Sequence, residues 1–463
     1  MRKRYDIAFL GAGPAGYHGA IRAAQLGARV AVVEEQFLGG VCLNRGCIPT
    51  KTVRASAEAA RSMRRAREYG FQPVEAVPDM AAVLARKERV VAGLRGSIAE
   101  LFRVHRIDLV EGKGRLVSPH KIEVEKDGEV KVVDEEKVVI ATGSRPASLP
   151  IFRQEPGLFL ADEIFNVASL PGDLLVVGGG AIGVEMAAIF RELGTQVTLV
   201  EAQARLLPSE DAEMSDYLQG VLRRRKVKII CGAGIKSTKK EGDKFNVQLS
   251  DGTNITSSTV LLAVGRLFNI EDIGLEELGV DLYQGHIKVN EHLQTTVPGI
   301  YAAGDVIGGW LLAHVAFAEG ICAAECALGR DQQMDYRTVP RAVFSMPEYS
   351  AVGLSEEEAQ SSHNIKVARF AIKSLGMGQA MGEVEGLVKI ISNAQTNQIL
   401  GAHIIGAHAS EMISEIALAM QAGIPSRVIM ETIHIHPTLS EAVLEVAQAL
   451  HGRAIHIPPQ EAG

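Results

Sequence analysis

The sequence predicts an α/β fold in which two doubly wound, parallel-sheet units are joined to a C-terminal α+β domain. Three observations predict it. An apolar strand, a glycine-rich turn and an Ala-rich helix follow one another near residue 11, and the same series returns near residue 178. Each copy leads into a second apolar strand that ends on a glutamate, 23 residues after the first glycine in both cases. The last third of the chain carries the apolar runs LVKIIS, ILGAHIIG and ISEIALAM, consistent with a further domain or interface. A length of 463 residues accommodates about three domains at roughly 150 residues each. The hydrophobic share of 47% is ordinary for globular chains and excludes a mainly disordered or fibrous one.

In the first unit, YDIAFL enters GAGPAG, and HGAIRAAQLGA follows with helical spacing. Gly11, Gly13 and Gly16 occupy the three glycine positions of a dinucleotide fingerprint, and RVAVV ends on Glu34, where an acidic residue binds ribose hydroxyls. One glycine permits the turn, one lets the backbone approach a pyrophosphate, and one lets helix pack on strand. The helix N-terminus adds amide donors and a positive dipole end. In the second unit DLLVV enters GGGAIG, with Gly178, Gly180 and Gly183 in the same places, and QVTLV closes on Glu201. A carboxylate there suits the free ribose hydroxyl of NAD and repels the extra phosphate of NADP. No arginine follows immediately; Arg205 is the nearest. Two dinucleotide sites in one chain point to an electron relay.

The charge balance excludes several function classes. With 48 basic and 55 acidic residues, the net charge of −7 disfavours general attraction to nucleic acid or anionic membranes. The basic run Arg223 to Lys226 reads as a solvated helix face. The apolar stretch from Leu174 meets Glu185, too soon for the roughly 20 residues that span a bilayer. A basic N-terminus followed by apolar residues imitates a signal peptide, but Asp6 and the Gly/Pro turn fit a strand entering a nucleotide turn better, so a cytoplasmic protein is expected. Five cysteines, an odd number, argue against a secreted disulfide framework.

Just past Glu34, GGVCLNRGCIPTK places Cys42 and Cys47 five residues apart. A regular helix rises roughly 7.5 Å over that interval, so the segment must bend or tighten if the sulfurs are to bond. Pro49 fits the start of a following helix, expected from about Thr50. The N-terminus of that helix would favour a thiolate. The bland alternatives are two buried thiols or half a zinc site, yet zinc needs further ligands, and no metal site is expected. Cys322 and Cys326, four apart in an Ala-rich helix, read as small core residues. Near the C-terminus, TIHIHPTLSEAVLEVAQAL becomes helical after Pro437, with Thr438 or Ser440 as cap. Glu441 then lies within reach of His436, either as the carboxylate that orients a base or as an ordinary dipole-complementing residue. His434 reads as structural.

GGVCLNRGCIPTK resembles the redox-active segment of the flavin-dependent pyridine nucleotide disulfide oxidoreductases, and within them that of the enzymes that oxidise dihydrolipoamide. The resemblance covers nearly the whole chain and includes GAGPAG, ATGSRP, GGGAIGVE, AVGR, YAAGDV, LLAHVAFAEG and HIHPTLSEA. It implies FAD on the first fingerprint and NAD on the second. It further implies a Cys42/Cys47 redox disulfide, a Lys51–Glu185 pair beside the flavin ring, and Asp305 on the flavin nucleotide. Gly114, Thr142, Gly143, Ala313, Gly265 and Arg266 complete the implied cofactor contacts. His436, oriented by Glu441, becomes the base that serves the disulfide of a second subunit, so a homodimer is implied. The expected reaction is FAD-dependent oxidation of a dithiol by NAD, the dithiol being the lipoyl group of a carrier protein in a 2-oxoacid dehydrogenase or glycine cleavage complex.

Mercuric or glutathione reductase-like activity is an alternative within the class, disfavoured by the lack of a C-terminal cysteine pair and by Glu201 respectively. An NADH oxidase or diaphorase is another alternative. The resemblance divides the chain into an FAD segment (1–148), an NAD domain (149–266), a second FAD or central segment (267–338) and an interface domain (339–463). Two residues depart from the family pattern: Arg45 between the cysteines, where it could alter substrate preference, and Phe268 after AVGR.

Overall fold

The computed structural model describes residues 4–72, 74–75 and 77–457. Its mixed α/β chain forms two compact units: residues up to 53 with 79–147 and 265–335, and residues 54–78 with 148–264 and 336 onward.

The first unit is built on a five-stranded parallel sheet in the order Ile300–Ala302, Val138–Ile140, Ile7–Leu10, Val30–Glu34 and Asp108–Glu111. All but the edge strand Asp108–Glu111 are near-continuous apolar runs, because both faces are covered. On one face lie the helices Pro14–Gln25 and Ala313–Ala327. They approach so closely that a Cβ on Gly320 would overlap the Ala15 carbonyl. Phe9, Val32, Cys322 and Cys326 share the core on this face with Ile98 and Phe102 of the helix Met80–Val104. That helix starts on Asp79, whose carboxylate accepts the Ala82 N–H at 3.1 Å. On the other face Leu10, Val33 and Ile140 pack on Leu116, Ile122 and Val124 from a second sheet (Arg4–Tyr5, Glu129–Glu135, Lys121–Lys126, Lys113–Ser118).

The second unit repeats the design. Its parallel sheet runs Leu158–Leu160, Val260–Leu262, Asp173–Val177, Gln196–Glu201 and Lys228–Cys231. A three-stranded antiparallel sheet spans residues 235–257. The C-terminal part is a five-stranded antiparallel sheet, Arg341–Val343, Glu348–Gly353, Ile399–Gly406, Leu387–Asn393 and Ile365–Ala371. Helices Ala409–Gln421, Ser426–Glu431 and Glu441–Leu450 share its apolar core. Residues 54–78, which the sequence boundary 1–148 includes, group with this unit because Arg54 pairs with Glu348, and Arg61 and Arg65 with Glu383.

A buried charge cluster sits inside the second unit. Lys389, in the middle of the apolar strand LVKIISN, is 1% exposed and pairs with Asp211, Glu213 and Glu356 at 2.9, 2.9 and 2.5 Å. Asp211 also caps the helix Ala212–Arg224 through the Met214 N–H. Burial opposes its ionisation, yet the Glu356 amide and the Lys389 ammonium hold its carboxyl below the usual range. Beside it Tyr349 donates to Glu210 at 2.7 Å and lies 3.1 Å from His403 Nδ1.

Candidate active site

The two glycine turns are the same structure twice. Gly11 and Gly178 have φ of +107° and +108°, a left-handed conformation that favours glycine. A Cβ on Gly11 would overlap the Ala141 carbonyl of ATGS, and one on Gly178 the Ala263 carbonyl of AVGR. A Cβ on Gly16 or Gly183 would overlap the carbonyl of Gly11 or Gly178 in turn. Around Gly13 and Gly180, the N-caps of the helices Pro14–Gln25 and Ala181–Leu193, the Cβ position is open, and neither first turn holds an acidic residue. Open backbone at the positive end of a helix fits a dinucleotide pyrophosphate.

Glu34 and Glu201 have a second task beyond the ribose contact expected of them. Glu34 Oε2 accepts the Ala12 N–H at 2.8 Å and Oε1 the Gln36 N–H at 2.8 Å. Glu201 Oε2 accepts the Gly179 N–H at 2.5 Å and Oε1 the Gln203 N–H at 2.7 Å. Each carboxylate thus ties the turn to the end of the next strand. A carboxylate offers roughly four lone-pair sites, which leaves room for a ribose hydroxyl.

The remaining implied cofactor residues fall mostly in the first unit. Thr142 Oγ1 donates to the Asn269 carbonyl at 2.7 Å, and the Gly143 carbonyl accepts the Asn269 N–H at 2.9 Å. Asp305 accepts a short hydrogen bond from Ser144 Oγ, which in turn accepts from Arg266 Nε at 2.6 Å. Gly265 and Arg266, which the sequence boundary 149–266 assigns to the NAD domain, therefore group with Asp305. Ala313 is the first residue of the helix Ala313–Ala327. Gly114 lies against Leu10, Val33 and Ile122, so packing accounts for its missing side chain. Sequence reasoning missed Glu319: 2% exposed, it accepts the Gly304 N–H at 2.7 Å and so fixes the turn that presents Asp305. The signal was available, a carboxylate within the apolar helix AHVAFAEG.

The chain bends between the cysteines as the spacing argument requires. The helix Gly40–Asn44 ends at Arg45, and the N–H groups of Arg45 and Gly46 both reach the Val41 carbonyl, at 2.8 and 2.7 Å. A new helix begins at Cys47, three residues before the expected start, because the Gly46 carbonyl already accepts the Thr50 N–H at 3.0 Å. Pro49 is tolerated in the first turn, where its missing N–H has no intrahelical partner to lose. The two sulfurs are not covalently joined in this structure, and their side chains are hydrogen-bonded. That hydrogen bond to Cys47, together with burial, pushes the Cys42 thiol up, while the Lys51 ammonium pulls the other way. Burial, then the nearby Cys42, pushes the Tyr17 phenol up to about 12. Arg45 is exposed and its guanidinium donates to Gln36 Oε1 at 2.7 Å.

In the second unit Glu185 is buried on the helix Ala181–Leu193, and its Oε1 accepts the Phe344 N–H at 2.9 Å. At the C-terminus His436 Nδ1 lies 2.8 Å from Glu441 Oε1, while Glu441 Oε2 accepts the Thr438 N–H at 2.8 Å. An ionised carboxylate can only accept, so it places the ring proton on Nδ1 and leaves Nε2 as the base. Burial works against the Glu441 charge, but the Thr438 amide and His436 hold its carboxyl below the usual range. The His436 side chain is 79% exposed. His434 instead is buried, with Nε2 3.0 Å from Glu415. Ile433 and Ile435 on either side of it are 96% and 78% exposed.

A thiol pair in contact, two nucleotide cradles and an oriented imidazole can pass electrons between a dithiol and bound dinucleotides, which defines the class as a two-nucleotide disulfide oxidoreductase. Comparison with known proteins agrees. Residues 5–320 match the pyridine nucleotide-disulphide oxidoreductase model and residues 339–447 the dimerisation domain of the same proteins. The chain belongs to this family, whose dihydrolipoyl dehydrogenases use FAD and NAD. It is 40% identical to a dihydrolipoyl dehydrogenase of Bacillus subtilis over 98% of its own length and all of that protein. It is 38% identical to that of Chlamydia muridarum over 99% of each chain. Among solved structures, LpdA of Mycobacterium tuberculosis superposes with a TM-score of 0.91 at 30% identity, covering 97% of this chain and 100% of that one. The flavoprotein disulfide reductase RclA of Escherichia coli superposes with a TM-score of 0.89 at 29% identity over the same shares. Among the described residues no helix is long and apolar enough to cross a membrane.

Proposed function

We propose that the protein is a dihydrolipoyl dehydrogenase: it oxidises the dihydrolipoyl group of a carrier protein in a 2-oxoacid dehydrogenase or glycine cleavage complex, in the cytoplasm, as a homodimer. The observation that carries the reading is the hydrogen-bonded contact of the Cys42 and Cys47 side chains at a helix junction. In the oxidised enzyme the two sulfurs form a disulfide. His436 of one subunit takes a proton from the substrate dithiol through Nε2, and Glu441 stabilises the imidazolium. The substrate thiolate attacks Cys42, forming a mixed disulfide and releasing Cys47 as thiolate. The second substrate sulfur then displaces Cys42, which leaves as a thiol, and the lipoyl disulfide closes. Lys51, paired with Glu185, offsets the negative charge of Cys47. FAD bound on Gly11, Gly13 and Gly16 supplies the two-electron acceptor and NAD on Gly178, Gly180 and Gly183 the final one.

Glu201 favours NAD over NADP, since a buried carboxylate with its oxygens already on the turn repels a 2′-phosphate. The FAD domain is formed by 1–148 and 267–338, with the NAD domain 149–266 inserted and the interface domain 339–463 following. Cys47→Ser tests the scheme. The variant should retain FAD and lose dihydrolipoamide-dependent NAD reduction; turnover at the parent rate refutes the disulfide route.

A further inference from the structure

We infer that Arg341 and Tyr349 are positioning residues for the nicotinamide dinucleotide: through Glu210 they brace the loop 202–210, which fixes the second glycine turn. The inference rests on the placement of NAD on that turn, proposed above. Gly179, between Gly178 and Gly180, has both its backbone groups taken. Its N–H goes to Glu201 Oε2 at 2.5 Å, and its carbonyl accepts the Leu207 N–H at 2.9 Å. The loop is tied at its near end as well, where the Gln203 N–H reaches Glu201 Oε1 and the Gln203 carbonyl accepts the Gly232 N–H, both at 2.7 Å. Leu206 crowds the turn so closely that a Cβ on Gly179 would lie 2.7 Å from its side chain. Turn, acid and loop are thus one bonded assembly.

Leu207 is strained. Its φ of +45° lies in the left-handed region, which a leucine seldom adopts, and such a conformation persists only where the surroundings over-determine it. On one side Leu206 and Leu207 are buried, and the Ser215 hydroxyl donates to the Leu206 carbonyl. On the other, the Glu210 N–H closes a turn on the Leu207 carbonyl at 2.9 Å, so whatever holds Glu210 also holds Leu207. That grip comes from the C-terminal sheet. Arg341 Nε donates to both Glu210 oxygens, at 2.9 and 2.8 Å, in a pair whose side chains are 13% and 12% exposed. The Tyr349 hydroxyl, on a fully buried side chain, donates to Glu210 Oε2 at 2.7 Å. These two residues lie 131 and 139 positions beyond Glu210. Without them Glu210 no longer pins the loop, Leu207 relaxes out of its left-handed conformation, and the Gly179 carbonyl loses its donor. The turn then meets a pyrophosphate less pre-organised, which weakens binding without touching the reacting atoms.

The test is stopped-flow reduction of the FAD-loaded enzyme by NADH, in which the concentration dependence gives the dissociation constant and the plateau the rate of hydride transfer. Tyr349→Phe removes one hydrogen bond and keeps the packing, and it should raise the dissociation constant about threefold. Removing either partner of the Glu210–Arg341 pair alone would strand a buried charge, so Glu210→Gln is combined with Arg341→Met. The double variant should raise the constant about tenfold. In both, the plateau and the rate of flavin reduction by dihydrolipoamide should stay within about twofold of the parent, the split expected when binding alone is weakened. Gly183→Ala, which presses on the turn directly, serves as the reference and should raise the constant too. An unmoved constant in both variants beside a raised one in Gly183→Ala overturns this inference alone, whatever the change in Tm. A loss shared equally with the dithiol half-reaction overturns it as well, since it marks a general structural fault. An unmoved constant in Gly183→Ala overturns the placement of NAD on the second turn, and this inference with it. Should the double variant fail to fold or to retain FAD, Tyr349→Phe decides, and no shift there overturns the inference.

Discussion

Replacing Glu441 by Gln isolates what the carboxylate does for His436. The amide keeps a hydrogen-bond acceptor 2.8 Å from Nδ1 and keeps the volume, and it removes only the charge. The imidazole is 79% exposed, so the interaction belongs near the aqueous limit, where unit charges about 4 Å apart gain about 1 kcal/mol. A charge-assisted hydrogen bond adds up to about as much again relative to a neutral one, giving about 1–2 kcal/mol in all. If that energy stabilises the imidazolium formed as the substrate dithiol is deprotonated, the rate falls roughly five- to thirtyfold. The assay is stopped-flow reduction of the bound flavin by dihydrolipoamide, compared with its reduction by NADH. The deficit should be confined to the dithiol half-reaction. A parent-like dithiol rate, or an equal loss in both half-reactions, refutes the reasoning, the second because it would report a general structural fault.

Other outcomes follow from the duplicated turns and the buried cluster. Gly16→Ala and Gly183→Ala each press a Cβ onto a backbone carbonyl, an overpacking of about 1–3 kcal/mol. The first should lower FAD retention about tenfold or more, and the second should raise the KM for NAD by a similar factor while FAD is retained; interchangeable effects on the two cofactors refute the assignment. His403 is held neutral, its burial pushing the imidazole down to about 4. The unfolded chain takes up that proton near pH 6.5, so the neutral ring's contribution is complete above about 6.5 and is lost as pH falls toward 4, by about 3 kcal/mol at most. His403→Gln should flatten the fall in Tm between pH 7 and 4.5, and an unchanged slope would show that other groups govern it.

What could be read from the chain without coordinates was what is encoded within a few residues. The glycine positions, the strand before and the helix after each turn, and the Glu34 and Glu201 ends are all local, and periodicity reveals them. The bend between Cys42 and Cys47 also followed from helical rise alone. The helix start at Cys47 was displaced because a single bond, Thr50 N–H to the Gly46 carbonyl, decides it, and propensity does not register one bond. Lys389 could not be placed from its surroundings. In sequence it is a lysine interrupting an apolar strand, and carboxylates remote from it, Asp211, Glu213 and Glu356, make its burial tolerable. Glu319 and Gly304 are closer in sequence, yet their pairing depends on a helix folding back onto a turn. The contact between Phe344 and Glu185 likewise has no local signature, since its donor is a main-chain amide.

The near identity of the two glycine turns bears on protein engineering. Because both turns have the same backbone shape, a pyrophosphate proposed to sit on each would meet the same donors, so the turns would not discriminate one dinucleotide from the other, and altering them strains the fold. Discrimination has to reside in the residues just beyond each second strand. In the second unit these are Ala202, Gln203 and Arg205, which border Glu201, whose own Oε1 is held by the Gln203 N–H. A library aimed at changing nicotinamide preference should therefore leave 178–183 fixed and vary 201–205, with position 203 treated as part of the acid's mounting and not as a neutral bystander.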